Sequence, residues 1–161
     1  MSVNAEMQRA IMRTWATGVT IVTTHHNGHD HGLTVSAFSS VSVEPPQVLV
    51  VIAKSSRTLE PLQASGIFAV NVLTHEQLPI SNRFASRDTD AADRFERLDV
   101  LRSVTGAPII KGCLAYLDCR VTGTLDADNN VIFLGQVVAG EVFGGQPLLY
   151  WDRNYRQLKS D

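Results

Sequence analysis

Residues 19–53, VTIVTTHHNGHDHGLTVSAFSSVSVEPPQVLVVIA, decide the fold class. Val19 to Thr24 is a β-branched run of strand length. Leu33 to Val41 reads as a second strand. Asn27-Gly28 between them is a hairpin signal, because both central residues of a tight two-residue turn need positive φ. Glu44-Pro45-Pro46 interrupts the pattern, and Val48 to Ala53 then reads as a strand buried on both faces.

Outward from this block the same grammar continues. Ile67 to Leu73 is a further strand. From Cys113 to Thr122 the apolar residues Cys113, Ala115, Leu117, Cys119 and Val121 fall on one face. Asp126 to Asn130 is a turn. Val131 to Val142 is a long last strand whose Gly135 and Gly140 signal bends or close approaches. Helical signals are few. Val3, Met7, Ala10, Ile11 and Trp15 recur at helical spacing and predict an N-terminal helix of about four turns. Ser55 to Gly66 reads as a loop and short helix, with Pro61 tolerable only in the first turn. Thr74 and Gln77 have capping-box spacing and open a helix through about Phe84. Residues 86 to 99 are dense in charge and read as a solvated loop. Six or seven strands without βα alternation exclude a doubly wound nucleotide fold and favour a closed antiparallel barrel or a sandwich. Residues 1–161 read as one domain.

The 161 residues suffice for one core, and 44% hydrophobic with 19% charged is an ordinary soluble composition. A formal net charge of -2 offers no overall basic field for nucleic acid or anionic lipid. No run is long and apolar enough to span a bilayer as a helix, and the charged N-terminus does not read as a signal peptide. If Cys113 and Cys119 share a strand, about 20 Å separates them, beyond disulfide reach. Two buried thiols predict a cytoplasmic protein.

Two segments are polar where a core strand should be apolar. Gly32 to Ser42 carries hydroxyls at 34, 36, 39, 40 and 42. It is either a half-exposed strand or one whose hydroxyls and amides line a polar ligand. Ala53-Lys54-Ser55-Ser56-Arg57-Thr58 packs two cations and three hydroxyls into a loop that enters a helix. That is either a helix start with solvated cations or a phosphate-holding loop. The spacing is not that of a P-loop or a dinucleotide fingerprint. His25, His26, His29 and His31 straddle the hairpin tip, with no cysteine beside them, and are not assigned as a metal site. No nucleophile elbow or acid–base constellation is present, which is compatible with chemistry carried by a cofactor.

Together these residues resemble the flavin reductase-like family, the FMN-binding split barrels that serve as reductase components of two-component monooxygenases. The resemblance rests on order and spacing over nearly the whole chain. It runs from Trp15-Ala16-Thr17-Gly18-Val19-Thr20 through Gly32-Leu33-Thr34-Val35-Ser36-Ala37-Phe38, Ser55-Ser56-Arg57-Thr58-Leu59 and Phe68-Ala69-Val70-Asn71-Val72-Leu73. Phe84-Ala85, Phe133-Leu134-Gly135-Gln136-Val137 and Pro147-Leu148-Leu149-Tyr150 with Tyr155 complete it. It implies a mainly β, closed antiparallel split barrel of six to seven strands with an N-terminal helix and short covering helices, usually a homodimer. It implies an NAD(P)H-dependent flavin reductase that transfers hydride from NADH or NADPH to FMN, with FAD as the alternative, and supplies a partner monooxygenase. Thr34, Val35, Ser36, Ala37 and Ser40 would flank the flavin ring. Ala53, Lys54, Ser55, Ser56, Arg57 and Thr58 would hold the phosphate and ribityl tail, and Phe84 and Ala85 would close over the flavin. Asn130 stands where the family often carries a histidine near the nicotinamide; Arg153 and Tyr155 are the other nicotinamide candidates. Two rival readings stay open: a flavoprotein electron carrier without a nicotinamide site, and a split barrel holding haem through the His25–His31 cluster.

Overall fold

The computed structural model describes residues 2–159. Helix α1 (Ala5–Met12) is capped by the Asn4 side chain, which accepts from the Met7 amide at 2.8 Å. It is two turns long rather than four, because the chain turns after Met12 toward β1 (Thr17–Gly18). Then come β2 (Thr20–His26), β3 (His29–Val35), β4 (Phe38–Val43), β5 (Pro46–Ala53), α2 (Leu59–Ser65), β6 (Ile67–Val72), α3 (Leu78–Ala85) and α4 (Ala91–Arg94). The chain closes with β7 (Val100–Arg102), β8 (Pro108–Ile110), β9 (Ala115–Ala127), β10 (Asn130–Val142), β11 (Leu149–Trp151) and β12 (Asn154–Arg156).

Local signals act as the sequence predicts. Asn27 and Gly28 take φ 50° and 77° and join β2 to β3 with His26 opposite His29. Gln77 Oε1 accepts from the Thr74 amide at 3.1 Å, completing a capping box ahead of α3. The segment expected as one strand from Leu33 to Val41 is instead two, broken at Ser36–Ala37.

That break shapes the molecule. Seven antiparallel strands run in the order β3-β2-β6-β9-β10-β5-β4, so β3 and β4 are opposite edges. Yet Ser36 and Ala37 alone connect them. A flat sheet would hold these edges about 29 Å apart, whereas Val35 and Phe38 are within about 11 Å along the chain. The sheet therefore curls. Val22, Val35, Val50, Phe68, Cys119 and Phe133, from six strands, meet in one buried cluster, which α2 covers with Leu62. The expected closed barrel is not formed: no ladder pairs β3 with β4, and the sheet stays open there. The physical reason is a change of partner. At Ser36–Ala37 the chain leaves the β2 ladder and joins that of β5, where Val51 N donates to Ala37 O at 3.0 Å.

A second cluster covers the other face of β2 with Val19, Ile21, Phe84 and Leu148, backed by Phe95, Leu98, Tyr150 and Tyr155. Both cysteines are free and buried, and Cys113 lies ahead of β9 rather than within it. Burial pushes the Cys113 thiol up to about 11 and the Cys119 thiol to about 12. The folded protein is therefore expected to resist thiol reagents at neutral pH and to label both cysteines only after denaturation; a thiol titration with and without guanidinium checks this. No helix among the described residues is long and apolar enough to cross a membrane.

Candidate functional site

β5 is buried inward at Val48, Val50 and Ile52, so Leu49, Val51 and Ala53 face outward. Past Ala53 the chain turns sharply. Ser56 N donates to Ala53 O at 2.9 Å, Lys54 N to Asn129 O at 2.9 Å, and Thr58 N to Ser56 Oγ at 3.2 Å. This turn faces Thr34 at the end of β3 and the C-terminal turn of α3. Between them lies a cleft of about 550 Å³, lined by Leu33, Thr34, Ala53, Ser55, Ser56, Phe84, Ala85 and the three arginines 57, 87 and 94. No lining residue is acidic.

Each wall is fixed by identifiable bonds. Thr34 Oγ1 donates to Ser81 O at 2.6 Å, tying β3 to α3. The Phe84 ring lies over Gly32, where a Cβ would come within 2.9 Å of Phe84 Cε1, so this position requires glycine for the ring to pack. Arg57 donates to Asp90 Oδ1 at 3.0 Å, Arg87 O at 3.0 Å and Thr89 O at 2.8 Å. Arg94 is 8% exposed. It donates to Gly32 O and Ser86 O, both at 2.6 Å, while its buried Nε has no partner. Among the described residues no carboxylate pairs with it. Burial, with the nearby Arg57 charge, lowers the Arg94 pKa. A guanidinium stays protonated in proteins, so the cleft holds a buried cation with no counter-charge among the described residues.

A second, more apolar cleft of about 410 Å³ is lined by Met12, Trp15, Ser36, Ala37, Val51 and Tyr150, among others. Val51 and Ala53 are successive outward residues of β5, and Thr34 and Ser36 flank the inward Val35. The two clefts thus follow one another along the same two segments, one cationic and the other aromatic and aliphatic.

The structure brings Thr34, Ala53, Ser55, Ser56, Arg57, Phe84 and Ala85 together in the first cleft, and Ser36 and Ala37 in the second. Other predicted residues lie elsewhere. The Val35 side chain is in the core. Ser40 sits opposite Val48 in the β4–β5 ladder and lines neither cleft. Lys54 turns to Asp126, with Nζ 2.7 Å from Oδ2. Thr58 is buried at the start of α2. Asn130 pairs with Ala53 across the β5–β10 ladder. Tyr155 shares a 2.7 Å hydrogen bond with Ser81 Oγ and packs edge-on against Tyr150. Arg153 joins Arg9, Arg13 and Trp151 around a third cleft of about 300 Å³, which shares Met12, Trp15 and Tyr150 with the second. At the hairpin tip, His25 Nδ1 lies 2.6 Å from Asp30. Although burial pushes the Asp30 carboxyl up, hydrogen bonds from Arg102 and His25 outweigh it and hold the carboxyl below its usual value. Among the described residues, no three His, Cys, Asp or Glu are placed to hold a metal ion.

Arg87 and Arg94 escaped the sequence reading because residues 86–99 look solvated. The signal that could have found them is Phe95 and Leu98, two apolar residues three apart inside the charged run, which anchor it to the second core cluster.

The Flavin reductase like domain profile matches residues 12–159. The chain is 36% identical over 154 residues to the reductase subunit HsaB of a flavin-dependent monooxygenase from Rhodococcus jostii (strain RHA1), covering 95% of this chain and 77% of that one. It is 36% identical over 158 residues to the FMN reductase (NADH) RutF of Ancylobacter novellus, covering 98% and 87%. Its fold matches the NADH:FAD oxidoreductase SgcE6 of Streptomyces globisporus C-1027, solved with NAD and FAD fragments, with TM-score 0.90 and 29% identity over 100% of this chain and 98% of that one. Sequence, fold and cleft converge, and the chain belongs to the flavin reductase-like family.

Proposed function

We propose that this protein is an NAD(P)H-dependent flavin reductase that supplies reduced flavin to a partner monooxygenase. The observation that carries the reading is Arg94: a buried guanidinium with no carboxylate partner among the described residues, beside Arg57, Arg87 and two serines. Such a donor set suits a phosphate ester. The adjoining apolar cleft suits an aromatic ring, and the volumes are those of small-molecule sites. The residues present therefore fit FMN, or FAD with its adenine end beyond the cleft.

When bound, the flavin supplies the chemistry, accepting a hydride from the nicotinamide and passing the reducing equivalents on. The chain's task is placement. Arg57, Arg94, Ser55 and Ser56 hold the phosphate, and Thr34 fixes the tail. Ser36 and Ala37, which line the second cleft, would offer their main-chain amides as donors to the polar edge of the ring. Val51, Trp15 and Tyr150 exclude water from the ring face. Tyr155, through Tyr150 and Ser81, is a positioning residue. Arg153, with Arg9, offers charge to the dinucleotide phosphates, whereas Arg13 is paired with Asp152 at 3.0 Å in the same cleft; Asn130 offers an amide at the tail end. The relatives named for NADH favour NADH as donor. The free buried thiols favour a cytoplasmic setting. Nicotinamide oxidation that depends on added FMN or FAD tests the reading; a rate no higher than that of flavin and nicotinamide without protein would overturn it.

The open sheet beside Ser36–Ala37 also fits a homodimer. Helix α1 buries no residue, yet Val3, Met7, Ile11 and Trp15 expose 62%, 47%, 50% and 69% of their surfaces, and Met12 and Trp15, at and just past its C-terminal end, line the second cleft. A partner subunit covering this face would enclose the ring end of the site. Met7→Glu with Ile11→Glu is expected to convert a dimer to monomer in light scattering while circular dichroism is unchanged. A monomeric wild type would refute the dimer.

A further inference from the structure

We propose that Asp90 loosens the cleft's hold on flavin phosphate by competing for Arg57, so that reduced flavin is released quickly to its acceptor. The inference rests on the reading of the cleft as a flavin-phosphate site. Three donations of the Arg57 guanidinium go to the 87–90 segment, and one of those acceptors, Asp90 Oδ1 at 3.0 Å, is charged. A guanidinium has five N–H groups. A phosphate approaching Arg57 must share it with, or displace, a carboxylate of the same sign.

Arg94 is different. Its partners are the neutral carbonyls of Gly32 and Ser86, so no anion among the described residues contests it. The phosphate thus meets one uncontested, buried cation and one contested, half-exposed cation; Arg57 and Asp90 side chains are 50% and 79% exposed. Competition at an exposed pair is modest and screened by salt. That is suited to a ligand that must leave after each turnover, since changes at a binding site act mainly on release. Lys54, the other cation of the turn, is paired with Asp126, so it does not relieve the contest.

Asp90→Asn removes the charge and keeps the size and the hydrogen-bonding capacity. Asp90 is exposed, so the fold is retained. Dissociation constants and release rates for FMN and riboflavin, measured at low and high salt, test the inference. The expected result is FMN affinity raised roughly two- to fivefold at low salt, mostly through slower release, with the gain lost at high salt and riboflavin unchanged. FMN binding that is unchanged or weaker in Asp90→Asn, or riboflavin tightened by the same factor, would overturn it. A wild-type protein that binds neither flavin would instead sink the flavin reading itself. A wild type that prefers FMN to riboflavin, with no response to Asp90→Asn, would sink only the role given to Asp90.

Discussion

Replacing Arg57 by Ala will weaken FMN roughly 10- to 100-fold and leave riboflavin nearly unchanged. A hydrogen bond between charged partners contributes about 1.5–3 kcal/mol, and about 1.4 kcal/mol is tenfold in affinity. Riboflavin has the ring and ribityl chain but no phosphate, so it isolates that term. Arg57 is half exposed, and its loss leaves Arg87 O and Thr89 O open to water, so folding should hold. Arg57→Lys should recover part of the affinity through charge alone. Lys54→Ala is the contrasting case. The sequence places Lys54 beside Arg57 in the phosphate turn, but its ammonium points to Asp126. Its removal should change FMN affinity little. Fluorescence titration of the three variants against both flavins checks the set. Equal losses for FMN and riboflavin in Arg57→Ala would place the phosphate elsewhere.

The largest expected loss of stability comes from Gly135→Ala. A Cβ at Gly135 would lie 2.4 Å from Phe68 Cζ, 2.7 Å from Phe68 Cε1 and 3.1 Å from Cys119 Cβ. Phe68 is fully buried in the first core cluster and has nowhere to swing. Overpacking of this kind costs about 2–3 kcal/mol, which lowers the melting temperature of a domain of this size by roughly 5–10 °C. Phe68→Leu removes both ring atoms that clash. In the double variant the two losses should therefore add to less than their sum. Thermal melts of the two single variants and the double variant decide it; strict additivity would mean that Phe68 is not the obstacle.

Gly135 also shows what the sequence made legible. Glycine inside an otherwise apolar strand signals a bend or close approach, and the register of β9 and β10 shifts between Leu134 and Gly135. The Asn27-Gly28 hairpin and the Thr74–Gln77 capping box were readable for the same reason, since each is a local rule that needs no distant partner. What escaped depended on partners far along the chain. Residues 33–41 read as one strand because their composition is strand-like throughout; that Ser36–Ala37 exchanges the β2 ladder for that of β5 is set by tertiary pairing. Arg94 was hidden in a run of charge, and what buries it are the carbonyls of Gly32, 62 residues earlier, and Ser86. Lys54 and Arg57 look equivalent in sequence, and only the position of the Asp126 turn separates them. The C-terminal hairpin of β11 and β12 was too short for periodicity to reveal.

The most direct test of the central claim is a single turnover. FMN-loaded protein is mixed anaerobically with NADH, and the flavin's visible absorbance is followed. The account predicts bleaching far faster than that of free FMN at the same concentrations, and a loss of this fast phase in Arg57→Ala unless FMN is raised to restore occupancy. Bleaching of the loaded wild type no faster than that of free FMN would contradict it.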